Sequence, residues 1–253
     1  EMCSVIDTLC GASVCMQFKD LHKECGGIWS DNNIVANLLF TRDLAFSFGK
    51  TTVVSWNSKS ARNDENRLTA ELFKNSPLLR DNNIIDFHSM FPDLTIEGGD
   101  VMLFNSDTVL IGLSERTSKE AVEAIAPHIL DEGFSNVVGV SLEKKRSFMH
   151  LDTVLSKINC HEYLVYDSSG EIEYFEFSKS HPNGKRYTAK CLKSLVSDLD
   201  SDANCFECYP SEQWTCGSNA LAVSPGKILL YERNEKTIGN LVKNGGYCEY
   251  TPK

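Results

Sequence analysis

Two short acidic segments of the sequence have residue types that could transfer protons. The first, residues 97–100, reads Glu-Gly-Gly-Asp, and its two glycines would let the backbone approach a ligand closely. The second contains His150 and Asp152, which lie on the same face if the segment is extended. A histidine and several carboxylates that converge on one pocket are suited to proton transfer on a cationic substrate. Each segment alone is a weak signal, because two glycines between acids are usually a turn.

The composition is that of a globular protein with a sizeable core. The chain has 253 residues, of which 42% are hydrophobic and 24% charged, enough for one large domain or two small ones. A formal net charge of -10 argues against nucleic acid as a partner. The sequence has no apolar run of about 18 residues and no leader pattern, which predicts no membrane segment and a cytoplasmic location. The chain starts with Glu1, which suggests a fragment or a processed protein.

The ten cysteines favour reduced thiols over a disulfide scaffold, because disulfide-rich scaffolds are usually much shorter chains. Cys205 and Cys208 have the spacing of a metal-binding pair, but no second pair follows at zinc-site spacing. We expect one buried and one surface thiol there, and neither a metal nor a cofactor. A disulfide-linked extracellular domain remains an alternative.

A strand-strand-helix-strand pattern occurs four times along the chain, which indicates an internal repeat. Small units of this kind bury one another's apolar faces, so closure around an axis is expected. A capping box at Thr117 and Glu120 marks the start of the second helix. The predicted strands are residues 37–47, 51–56, 84–87, 101–104, 109–113, 137–142, 152–157, 163–166, 171–177, 205–209, 220–223, 228–231 and 247–250, and the predicted helices are residues 63–74, 117–130, 192–199 and 237–243.

Five strings, taken in order, resemble the arginine deiminase family. That family belongs to the guanidino-group-modifying superfamily, whose fold is a five-bladed α/β propeller, the pentein fold. The resemblance implies that residues 31–253 form a partial propeller of ββαβ units, with about four of five units present. It also implies that residues 1–30 are the end of a helical insertion domain. The strings are Asn-Leu-Leu-Phe-Thr-Arg-Asp at 37–43, Ile-Glu-Gly-Gly-Asp at 96–100, Ser-Glu-Arg-Thr at 114–117, Met-His-Leu-Asp-Thr at 149–153 and Tyr-Glu-Arg-Asn-Glu-Lys-Thr at 231–237.

The resemblance implies hydrolysis of L-arginine to L-citrulline and ammonia. Asp43 and Asp152 would clamp the guanidinium group, whose forked N–H groups suit carboxylates. Glu97 and His150 would transfer protons. A cysteine thiolate would attack the guanidinium carbon, and water would then hydrolyse the amidino-cysteine intermediate.

Three further residues match the family positions that hold the α-carboxylate end of the substrate: Asn37, Arg62 and Arg116. Arg62 also stands at the opening of a predicted helix, where an arginine gains little from the helix dipole. A surface pairing of Arg62 with Asp64 or Glu65 explains it equally well. Asp100 is expected to support the site rather than to contact the substrate.

The family's nucleophilic cysteine follows a glycine- and arginine-rich loop near the C-terminus, and this sequence stops at Lys253 before such a loop. Cys216 and Cys248 do not match that position. The resemblance therefore implies an inactive fragment of an active enzyme.

Three other possibilities remain open. They are an agmatine deiminase, an amidinotransferase-type enzyme and a catalytically silent arginine-binding propeller. Whether the protein forms a homo-oligomer is also open.

Overall fold

The computed structural model describes residue 37, residues 39–167 and residues 170–249, in two compact units, Glu1–Gly98 and Gly99–Lys253. The predicted helical insertion at residues 1–30 lies outside the described residues, so that division of the chain stays a prediction. No helix in the described ranges is long and apolar enough to cross a membrane.

Strands and helices alternate along the described ranges. The strands are β1 (Ala45–Phe48), β2 (Thr51–Val54), β3 (Asn83–Asp86), β4 (Val101–Leu103), β5 (Thr108–Leu113), β6 (Asn136–Ser141), β7 (Leu155–Lys157), β8 (Glu162–Val165), β9 (Ile172–Ser178), β10 (His181–Ala189), β11 (Asn204–Glu207), β12 (Leu221–Ser224) and β13 (Lys227–Leu229). The α-helices are α1 (Asn63–Asn75), α2 (Phe87–Met90), α3 (Lys119–Asp131), α4 (Leu192–Leu199), α5 (Pro210–Gln213) and α6 (Glu235–Gly245).

The first unit holds a three-stranded sheet in the order β1-β2-β3. The central strand β2 is antiparallel to β1 and parallel to β3, and all four of its residues are buried. A parallel neighbour requires a crossover, which α1 supplies. This helix buries Leu68 and Ala70 among others.

The second unit repeats the same connection twice. β5 is antiparallel to β4 and parallel to β6, and β8 is antiparallel to β7 and parallel to β11. All six residues of β5 are buried, and α3 buries six apolar side chains at helical spacing. One core cluster joins Leu110 and Val140 to Leu195 and Val196 of α4. The fold is mixed α/β, and three complete ββαβ copies are present in the described ranges.

The fourth copy differs from the prediction. β12 and β13 form an antiparallel hairpin and α6 follows them, but residues 246–249 have no regular structure. The strand expected at residues 247–250 is therefore absent from its described part. A hairpin of two short strands offers only a small apolar face, which leaves Leu221 and Leu229 exposed.

Three predicted strands have different bounds or partners. The strand expected at residues 37–47 begins only at Ala45, because Thr41–Leu44 is a 3-10 turn. The strand expected at residues 152–157 begins only at Leu155, after a second 3-10 turn at Leu151–Thr153. The strand expected at residues 171–177, which is β9, pairs with β6 of the second copy instead of with a strand of the third copy.

The sequence prediction missed β10, which pairs antiparallel with β9 at the edge of a five-stranded sheet, β10-β9-β6-β5-β4. Its residues are mostly exposed and include Pro182, Lys185 and Arg186. Such residues read as a loop, yet they are common in edge strands, where they discourage pairing with another chain.

The cap of α3 lies one residue later than predicted. The hydroxyl of Ser118 accepts a hydrogen bond from the amide of Ala121, while Thr117 is buried before the helix. Both residues can cap a helix, so the sequence alone does not choose between them.

Candidate active site

The side chain of Arg62 organises the candidate site residues of the first unit. Arg62 precedes the first residue of α1 and is 7% exposed. Its Nη1 lies 2.6 Å from Oδ2 of Asp43, and its Nε lies 2.7 Å from Oε2 of Glu65. Its Nη2 donates to the carbonyl oxygens of Asn37 and Phe40 at 3.1 and 3.0 Å. Arg62 thus pairs with Glu65, as one of the alternatives had it, but the pair is buried rather than at the surface.

Two carboxylates balance this buried cation. Burial acts to lower the pKa of Arg62, but hydrogen bonds to Glu65 and Asp43 and their charges act more strongly, so the pKa is raised. Glu65 is only 1% exposed and also accepts the backbone N–H of Asn37 at 2.9 Å. Asn37, Asp43 and Arg62, three of the predicted residues, therefore form one hydrogen-bonded group with Glu65, which we call the Asp43 group.

Glu97 is fixed beside the first sheet. A two-residue antiparallel bridge between Trp56 and Ile96 places it, and the amide of Ser58 donates to its Oε1 at 2.9 Å. Glu97 is 1% exposed. The next residue must be glycine, since a Cβ on Gly98 would stand 2.0 Å from the carbonyl oxygen of Arg42. The glycine lets the two backbones meet next to Asp43.

In the second unit, Asp100 forms hydrogen bonds with two loops that contain predicted site residues. Its carboxylate is fully buried, and Oδ2 accepts the hydroxyl of Ser114 at 2.7 Å. Oδ1 accepts the amide of Leu151 at 2.9 Å, in the 3-10 turn between His150 and Asp152. The Ser114 oxygen in turn accepts the amide of Arg116 at 2.9 Å. We call these residues the Asp100 group; that Asp100 supports the site rather than contacting the substrate stays a prediction.

Burial raises the pKa of Asp100 to about 7, while the charge of His150 and hydrogen bonds from Ser114, Thr117 and Leu151 act in the opposite direction. The room for this carboxylate comes from Gly112 on β5, where a Cβ would stand 2.4 Å from Oδ1. This buried acid titrates near neutral pH and lies beside a histidine.

The remaining predicted residues of the second unit lie around Asp100. His150 and Asp152 are 3% and 5% exposed. His150 precedes a 3-10 turn and Asp152 lies within it, instead of both sharing one face of an extended strand, so the geometry expected for the pair is wrong. Arg116 is partly buried, and its Nη2 lies 3.1 Å from Sδ of Met149. Each unit thus assembles its own predicted residues, and their convergence on one substrate stays a prediction.

Residues that the sequence reasoning did not assign complete both groups. Glu65 and Ser114 supply the buried contacts, and Gly112 supplies the space. An Arg-x-x-Glu spacing at a helix start was the available signal for Glu65, since residues three apart meet on a helix. Ser114 belongs to one of the family strings, but no local pattern marks its contact with Asp100 or the space at Gly112.

Neither Cys205 nor Cys208 carries the sign of an activated thiolate. Burial raises the pKa of Cys205 to about 11 and also raises the pKa of Cys208. Cys208 is buried and Cys205 is half-buried, close to the expected one buried and one surface thiol.

One cluster in the second unit has metal-ligand residue types. His161, Asp200 and Asp202 place potential ligand atoms within 4.8 Å of one another. The carboxylate of Asp200 already lies 2.9 Å from Nδ1 of His161 and accepts the hydroxyl of Tyr163 at 3.0 Å. We interpret this cluster as a structural hydrogen-bond network.

The mixed α/β fold of this chain is similar to the folds of two solved structures. The N-terminal domain of ArgZ, an arginine dihydrolase from Cyanobacteria, superposes with a TM-score of 0.59 at 17% identity over 92% of this chain and 76% of that one. DDAH from Pseudomonas aeruginosa superposes with a TM-score of 0.55 at 18% identity over 82% of this chain and 67% of that one. These similarities concern the fold.

The family is defined more narrowly by sequence. Residues 33–247 match the family model of arginine deiminase, and the chain belongs to that family. It is 32% identical over 226 residues to the arginine deiminase of Mycoplasma capricolum subsp. capricolum, covering 83% of this chain and 55% of that protein. It is 31% identical over 216 residues to that of Borrelia duttonii, covering 79% and 52%. The chain thus spans about half the length of these curated relatives.

Proposed function

We propose that the protein is the guanidinium-binding and proton-transfer part of an arginine deiminase, which hydrolyses L-arginine to L-citrulline and ammonia. The observation that carries the proposal is the family match over residues 33–247, which includes the acids of both groups. The burial of Glu97, His150 and Asp152 supports it, because ionisable side chains are rarely buried without a partner or a function.

The proposed fold is a pentein propeller, which is the fold that the resemblance implies. Asp43 and Asp152 bind the substrate guanidinium, and Arg116 and Asn37 bind its carboxylate end. Arg62 differs from the role implied by the resemblance, because its guanidinium is buried against Asp43 and Glu65. We therefore assign it to positioning Asp43.

In the proposed reaction a thiolate attacks the guanidinium carbon, and the leaving nitrogen takes a proton and departs as ammonia. A water then loses a proton as its oxygen bonds to the same carbon, and breakage of the carbon–sulfur bond releases L-citrulline. Glu97 and His150 transfer the protons. The attacking thiolate is proposed to come from outside the 253 residues, because no cysteine of the chain follows a glycine- and arginine-rich loop as the family's nucleophile does.

Calorimetry with L-arginine and a citrulline assay test the proposal. We expect the 253-residue chain to bind L-arginine without releasing citrulline, and Asp43→Asn to weaken binding about tenfold, since a charge-assisted hydrogen bond is lost. Asp64→Asn, on the exposed start of α1, is the matched control. Citrulline release by the chain would contradict the missing nucleophile, and equal binding by both variants would contradict the role of Asp43.

A further inference from the structure

Glu65 has two contacts that no assigned role explains. It is the third residue of α1, where a glutamate ordinarily reaches back to the backbone N–H at the helix start. Here its Oε2 instead accepts Nε of Arg62, and its Oε1 accepts the backbone N–H of Asn37, 28 residues away. One buried carboxylate thereby ties the helix start to the segment that leads to Asp43.

The charges of the three side chains give this contact a chemical consequence. The carboxylates of Glu65 and Asp43 contact Nε and Nη1 of the Arg62 guanidinium. The two anions and the one cation therefore carry one net negative charge. Without Glu65 the Arg62 cation would neutralise Asp43 alone. A neutral pair attracts a cation far less than a net anion does, and partial burial strengthens that difference.

We propose that Glu65 is a positioning residue for the guanidinium site. It fixes the backbone at Asn37 and the side chain of Arg62, and it offsets the Arg62 charge so that the Asp43 group keeps a net negative charge for a cationic ligand. The inference rests on the proposed function for the identity of that ligand. The structural part of the inference, in which Glu65 holds Asn37 and the segment 39–43, does not depend on the proposed function.

The variant Glu65→Gln tests both halves because it keeps the shape and removes the charge. A glutamine has one acceptor oxygen for the two donors that Glu65 serves, so one donor is left facing an amide N–H group. We expect L-arginine to bind about tenfold more weakly, whereas neutral L-citrulline binds within about twofold of the original affinity, because only the cation senses the lost charge. Calorimetry on the 253-residue chain gives both values.

Amide hydrogen exchange is the second measurement, and it needs no ligand. Exchange in peptides covering residues 39–43 and at the Asn37 amide should accelerate about tenfold in Glu65→Gln. Glu71→Gln is the matched control, since Glu71 lies on the same helix with a side chain that is 42% exposed. Should Glu65→Gln not fold, Arg62→Lys, which cannot reproduce the forked contacts, is expected to give the same acceleration.

The outcomes separate this inference from the proposed function. If the unaltered chain binds neither ligand, the proposed function fails, and hydrogen exchange alone decides the positioning role. Unchanged exchange at residues 37–43 overturns that role whatever the ligands do. Equal weakening of L-arginine and L-citrulline overturns the charge argument and leaves Glu65 a purely structural residue.

Discussion

The buried carboxylate of Asp100 should make the stability of the protein depend on pH in a defined window. Its pKa rises from 3.8 to about 7 because burial penalises the charged form. Below about pH 4 the group is protonated in both the folded and the unfolded state. Between pH 4 and 7 the folded state holds the proton more tightly, so this stabilisation is progressively lost as the pH rises.

The size of the effect follows from the shift. One pKa unit corresponds to about 1.4 kcal/mol, so a shift of about three units amounts to about 4 kcal/mol across the window. The variant Asp100→Asn has no such titration. It also places an amide N–H₂ group against either the Leu151 amide or the Ser114 hydroxyl, which leaves a donor unsatisfied at a cost of about 1–3 kcal/mol.

Denaturant unfolding at a series of pH values measures this difference. The free energy of unfolding of the original protein minus that of Asp100→Asn should fall by about 4 kcal/mol from pH 4 to pH 7. Titrating groups that do not interact with Asp100 are common to both proteins and cancel in the difference. Asp107→Asn, in the exposed turn between β4 and β5, is the control and should give parallel curves. Parallel curves for Asp100→Asn would refute the reasoning.

Three further expectations can be tested separately. Gly98→Ala should lower the free energy of unfolding by about 3 kcal/mol, because its Cβ would stand 2.0 Å from the Arg42 carbonyl oxygen. Gly239→Ala, in open space on α6, should instead raise the free energy of unfolding by about 1 kcal/mol. Equal effects in denaturant unfolding would contradict this contrast. Ser118→Ala should cost about 1 kcal/mol through the lost cap of α3, and an unchanged thermal midpoint would count against that cap. Arg116→Ala should weaken L-arginine binding about tenfold but leave agmatine, which has no carboxylate, nearly unaffected; calorimetry showing equal loss would argue against carboxylate binding.

Much of the repeated fold could be predicted from the sequence, since its signals are local. The helix expected at residues 63–74 is present as Asn63–Asn75, because charged residues start it and an apolar face continues it. β5 and β6 were equally visible as apolar, β-branched runs. The hydrophobic pattern failed to predict β10, which is a strand but mostly exposed. It also failed before β1 and β7, where 3-10 turns occupy residues that were expected to be strand.

The candidate site was predictable by residue type but not by geometry. The sequence strings contain Asp43 and Asp100, and Arg62 comes from a separate family position, yet the extended face expected for His150 and Asp152 is a 3-10 turn. Likewise, Arg62 has the right charge for a carboxylate ligand, but its environment engages it with two protein carboxylates. Whether a charged residue serves a ligand or the protein depends on partners that are distant in sequence.

Hydrogen bonds from main-chain N–H groups to buried carboxylates explain why these partners are hard to infer. In both units a buried carboxylate accepts a main-chain N–H from a segment that is distant in sequence. Every residue except proline carries such a donor, so the side-chain sequence contains no trace of which amide is used. The acids can be found in the sequence because a buried charge needs a distinctive residue type. Their function as ligand or support depends on the main-chain donor of each hydrogen bond, which the sequence does not reveal. The three pairs are Glu65 with the amide of Asn37, Glu97 with the amide of Ser58 and Asp100 with the amide of Leu151.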